Sequence, residues 1–129
     1  MTQKDKELLL KDLCARLPYR VIVHICSRGE NAVRDIILSG DNITNAFEVP
    51  EGWWKEIKPY LRPMSSMTEE EEIEYDATFD TIKMSDGHYD STMTYKSFDW
   101  LNAHHFDYRG LIPKGLALEA TEDMYKEEQ

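Results

Sequence analysis

Glycine-rich loops, paired cysteines, long apolar runs and basic stripes are all missing from this chain of 129 residues. Each absence excludes a class of function. The six glycines are scattered singly, and neither GxxxxGK[ST] nor GxGxxG occurs, so nothing cradles a nucleotide phosphate. The two cysteines, Cys14 and Cys26, form no CxxC pair; a zinc ribbon or redox dithiol is unsupported, and buried, reduced thiols are expected. HExxH and GxSxG are absent too. The apolar run Leu8–Leu10 stops at Lys11, well short of the about 7–15 residues of a signal-peptide core or the about 20 of a membrane span. The expectation is a cytoplasmic chain with no cofactor, no metal and no membrane attachment.

Cationic charge is scarce in a patterned way. The net charge is −10. Residues 69–80 carry seven acids and no base, and residues 119–129 carry five acids and one lysine, so the excess sits in two blocks. No basic stripe can displace counterions from phosphates, and direct nucleic-acid binding is not expected. An acidic mimic of nucleic acid is an alternative. The plainer reading of the first block is a helix start: Thr68 with Glu71 forms a capping box, and Glu69–Glu71 favour the positive end of the helix dipole.

Apolar residues make up 41% and charged residues 31%, a globular composition. The spacing predicts a single domain over 1–120 with a frayed acidic tail at 121–129. Residues 2–16 read as an amphipathic helix capped by Thr2 and Asp5, with Leu10, Leu13, Cys14 and Leu17 at helical spacing and Pro18 as the stop. Alternation over 19–26, 33–38 and 43–49, with turn residues at 27–31 and 39–42, predicts a three-stranded antiparallel meander. Pro59 and Pro63 make 53–63 an extended or edge segment. Residues 73–82 fit helix and strand periods alike, and the acidic cap favours helix. Residues 84–95 read as a loop with room for a short strand. Ser97 is expected to cap a helix to about His105, Asp107 a shorter turn to Lys114, and Gly115 with Leu116 to form its stop. The fold class that results is α+β: a small three- to four-stranded antiparallel sheet, an N-terminal helix and two or three further helices packed on one face.

Chemistry-bearing residues concentrate in 97–120, where Trp100, His104, His105, Asp107, Tyr108 and Arg109 crowd together. Adjacent helical histidines point about 100° apart, so His104 and His105 do not form a simple helical metal pair. A small enzyme with a site at His104, His105, Asp107 and Arg109 is an alternative reading, with Arg109 equally able to clamp Asp99 or Asp107. Cys26 is expected to be an ordinary thiol despite Arg28 nearby. No catalytic set stands out. Trp53, Trp54, Tyr60 and Arg62 on the proline-punctuated segment, and Arg109, have the composition of interface hot spots. They form the candidate interaction surface.

Two segments, IKPYLRPMSSMTEEEEIEY at 57–75 and DWLNAHHFDYRGLIPKGLALEA at 99–120, supported by LKDLCARLPYRVIV at 10–23, resemble small proteins of gut Bacteroidales phages and other mobile elements. The resemblance implies a cytosolic bacterial or phage setting. It carries no known activity, so no residue role transfers. The functional expectation is a non-enzymatic interaction protein, an accessory or inhibitor acting on an unidentified protein partner, with the oligomeric state open.

Overall fold

Thr2 opens the chain's first helix as its spacing requires. Its side chain accepts from the Asp5 amide while the Asp5 carboxylate accepts from the Thr2 amide, and α1 runs from Gln3 to Arg16. The computed structural model describes residues 2–27, 33–47 and 54–125. Leu9, Asp12, Leu13 and Arg16 form the buried stripe of α1, so an ion pair shares the inward face with two leucines, and Cys14 is exposed rather than buried. Pro18 sits in a 3₁₀ turn, Leu17–Tyr19, and Arg20 leaves it with φ 58°. The first strand therefore starts later than alternation indicates: β1 is Ile22–Ser27.

β2, Val33–Ile37, pairs antiparallel with β1. The expected third strand at 43–49 is replaced by a helix, α2, Gly40–Phe47; residues 48 and 49 lie outside the described residues. Ser39 and Asn42 explain the difference. The Ser39 hydroxyl accepts from the Asn42 amide at 3.4 Å and the Asn42 side-chain oxygen accepts from the Ser39 amide at 2.9 Å, so a stretch that reads as a turn is a capping box. Ile43, Ala46 and Phe47 then pack on the core at helical spacing.

The third antiparallel strand is β3, Trp54–Leu61, which pairs with β1. It is an interior strand, not an edge, because the two-residue β6, Leu118–Glu119, lies parallel against Tyr60 and Leu61. Pro59 is accommodated because β6 reaches only the two residues beyond it. The sheet, in order β2-β1-β3-β6, is thus mixed rather than wholly antiparallel, within an α+β fold. Val23, Ile25, Ile57 and Leu61 share its inner face and form the core with Leu9 and Leu13 of α1 and Ile43 of α2. Tyr125 closes this layer. Its hydroxyl accepts from the Ile22 amide at 2.9 Å and donates to the Tyr60 carbonyl at 2.7 Å, tying β1 to β3. The tail expected to fray from Thr121 is docked as far as this buried tyrosine.

A second unit follows β3. α3, Glu69–Asp76, has the Thr68–Glu71 capping box. The segment 73–82 is half helix and half strand: α3 ends at Asp76, and β4, Asp80–Lys83, pairs antiparallel with β5, Tyr89–Thr92. α4 is Tyr95–Ala103 with Thr94 as its cap; Ser97, expected to be the cap, is instead the reciprocal partner three residues in. The exit from α4 is a Schellman-type stop: the Phe106 amide reaches the Leu101 carbonyl and the His105 amide the Asn102 carbonyl, with His105 at φ 64° where glycine is usual. His105 thus lies past the helix rather than on its face. Gly115 and Leu116 make the same motif onto Ile112 and Leu111, as their sequence indicates.

Candidate interaction surface

The arginines and tyrosine singled out from sequence are engaged by partners within the fold. Arg62 forks onto Glu71 through two bonds, 2.7 and 2.6 Å, and its guanidinium stacks 4.1 Å over the Phe106 ring. The hydrogen bonds from Arg62 outweigh burial and hold the Glu71 carboxyl at about 2, far below its ordinary value. Tyr60 is half-buried on the outer sheet face and donates to Asp35 at 3.1 Å; His24 meets the same carboxylate oxygen at 2.9 Å. Burial, then the Asp35 bond and charge, raise the Tyr60 phenol above its ordinary range. Arg109 reaches Asp12 at 2.7 Å, not Asp99 or Asp107. Trp53 lies outside the described residues, and Trp54 takes its place in β3.

His104, His105, Asp107 and Arg109 face four different partners. His104 stacks on Trp100 at 4.0 Å, bonds the Trp100 carbonyl through Nδ1, and stands 3.9 Å from Glu74. His105 is buried and stacks on Tyr125 at 3.7 Å. Asp107 accepts from the Leu111 and Ile112 amides, the capping role its position indicates. Arg109 and Arg16 grip opposite oxygens of Asp12, and both lie over the Tyr108 ring. This clamp spans more than ninety residues of chain and is absent from any local motif. Its one sequence signal is that Asp12 and Arg16 share the stripe of Leu9 and Leu13, an i, i+4 pair on the buried face. Among the described residues no group of three His, Cys, Asp or Glu side chains is placed to hold a metal ion.

What stays unspent lies in the second unit. Tyr75, Trp100 and Phe106 stack in series, and Thr78 bonds Ser97 and Thr94, so the end of α3 is fixed to the start of α4. From this base the β4–β5 hairpin projects. Its loop is a turn closed by Gly87 at φ 94°, with the Met84 amide bonded to the His88 carbonyl at 2.7 Å. All four β4 residues are exposed, as are Tyr89, Asp90 and Ser91 of β5. An isolated two-stranded hairpin is marginal in water unless something packs on it.

Seven of the ten exposed large apolar side chains among the described residues fall between 73 and 98, which singles out this unit over the sheet. Ile73, Tyr89 and Tyr95 are 71%, 66% and 73% exposed, so the core has no use for them. Scattered exposed apolar residues need no explanation; a concentration on one small unit does. The same stretch is acidic. Residues 69–90 hold nine Asp/Glu against Lys83 alone. Sequence periodicity missed this surface because Tyr75, Phe79 and Ile82 read as one helical stripe; the helix ends at Asp76, which leaves Ile82 on an exposed strand.

No family model, curated protein or solved structure matches the chain. No helix among the described residues is long and apolar enough to cross a membrane.

Proposed function

We propose that the chain is a non-enzymatic protein-interaction module and that the α3–hairpin–α4 unit is its docking surface. The observation that carries this reading is the concentration of exposed Ile73, Ile82, Tyr89 and Tyr95 on a hairpin and the two helices that flank it, in a stretch of chain rich in carboxylates. Aromatic side chains with low conformational entropy in such a setting are the usual anchors of interfaces. In a mobile-element setting the partner is a host or element-encoded protein, and the chain acts as its accessory or inhibitor. The dispersal of His104, His105, Asp107 and Arg109 onto separate structural contacts favours binding over catalysis at that segment.

The test is capture from a lysate by the wild-type chain and by Ile73→Ser/Tyr95→Ser. Substitutions at such exposed positions change stability by about 0.5 kcal/mol or less, so lost capture reports lost docking. At least tenfold weaker capture of the same protein is expected. Equal capture by both chains overturns the assignment.

A further inference from the structure

Resting on that reading, we infer that the free edge of β4 accepts an added strand from a partner: an extended segment alternating basic and apolar residues. The hairpin register sets which backbone groups are free. Met84 and His88 are a hydrogen-bonded pair, and antiparallel pairs alternate, so Ile82 with Asp90 and Asp80 with Thr92 exchange the inner bonds. The amides and carbonyls of Thr81 and Lys83 therefore point outward on β4, and no described residue meets them. On the opposite edge the outward Ser91 amide is already taken by the Asp90 carboxylate at 2.9 Å. One outward amide of the β5 edge is thus occupied by a side chain, while both outward amides of the β4 edge are open.

Charge chooses the occupant. Nine carboxylates against one lysine over residues 69–90 attract a cationic strand and repel a second copy of the same unit. Asp80 and Ile82 share one hairpin face, with Asp90 opposite Ile82 on β5, so an added strand beside β4 meets an acid and then an apolar neighbour on that face, with a second carboxylate one strand further on. A four-residue edge also suits a peptide better than a globular dimer, whose stable interfaces bury about 800 Å² on each side. Backbone pairing supplies binding, and alternate side chains supply selectivity, as in strand addition generally.

The experiment is selection of random twelve-residue peptides displayed against the full chain. Binding of the enriched peptides is then measured on wild type, Thr81→Pro and Asp80→Lys/Asp90→Lys. Proline at 81 removes an outward amide and no ladder bond, and the hairpin's own amide spectrum checks that it still forms. The expected peptides are cationic with alternating apolar residues. They protect the Thr81 and Lys83 amides from hydrogen exchange, and they bind each variant at least tenfold more weakly. Equal binding to Thr81→Pro overturns strand addition, as does enrichment of acidic or proline-interrupted peptides. Dimerisation of the free chain with both amides protected assigns the edge to a second copy and also overturns it. If Ile73→Ser/Tyr95→Ser loses lysate capture while Thr81→Pro keeps peptide binding, the docking surface stands and strand addition alone falls.

Discussion

Removing the carboxylate at position 12 should damage this protein more than any surface change. Asp12 and Arg16 are both fully buried; Arg16 Nε donates to Asp12 at 2.8 Å and Arg16 Nη2 to the Phe106 carbonyl at 2.6 Å. Arg16 Nη1 already has no hydrogen-bond partner among the described residues. In Asp12→Ala the guanidinium stays buried with its countercharge gone, and Arg109 loses its only ion-pair partner among the described residues. Breaking a buried pair from one side costs about 3–5 kcal/mol, a large share of the about 5–15 kcal/mol that holds a domain together. With a urea slope of about 2 kcal/mol per molar, the unfolding midpoint should fall by about 2 M. Replacing the pair by apolar residues, Asp12→Leu/Arg16→Met, removes the uncompensated charge and should cost less than Asp12→Ala alone. Arg109 is partly exposed and can turn to water. Urea unfolding followed by far-ultraviolet circular dichroism measures all three chains. A midpoint shift under about 0.5 M for Asp12→Ala, or a double variant less stable than the single, would refute the clamp as described.

Three further outcomes follow from named contacts. The Glu71 carboxyl is held at about 2 in the folded chain, below its ordinary 4.5, chiefly by the Arg62 bonds. A depressed carboxylate stabilises fully above its unfolded value and loses that contribution as pH falls through the folded one. The gap in urea midpoint between wild type and Glu71→Gln should thus be constant above about pH 5.5 and close between about pH 4.5 and 2; a gap that widens in acid contradicts this. Tyr125→Phe strands the Ile22 amide and the Tyr60 carbonyl between β1 and β3, costing about 1–3 kcal/mol by thermal unfolding; a cost indistinguishable from zero removes the tyrosine as a tie. His105→Gly should be more stable than His105→Ala by about 1 kcal/mol, because both lose the Tyr125 stack and only glycine is relaxed at φ 64°; equal stability would deny the left-handed stop.

Local chemistry was the legible part of this fold. Thr2 with Asp5, Thr68 with Glu71, and Gly115 with Leu116 are motifs whose bonds close within six residues, and all three stand where their residues place them. Ambiguous periods were the illegible part. Ile43, Asn45 and Phe47 fit alternation, while Ile43 and Phe47 also fit a helical stripe; a serine–asparagine box decided the matter. At 73–82 the cap correctly started a helix, but nothing local marks Asp76 as its end. Long-range partners were hidden altogether. Arg109 with Asp12, Tyr125 with Ile22 and Tyr60, and β6 beside β3 each need the assembled fold. For the candidate surface, residue type indicated hot spots at Tyr60, Arg62 and Arg109, but the folded chain engages these in its own bonds. Most of the large apolar groups it leaves exposed run from α3 through a hairpin of four-residue strands to α4.

Photocrosslinking from position 89 tests the docking surface most directly. A benzoylphenylalanine in place of Tyr89, at the exposed hairpin, should trap a partner protein that the same group in place of Val33, on the exposed β2 edge, does not. Crosslinks from position 33 and none from position 89 would place the interface on the sheet and contradict the account.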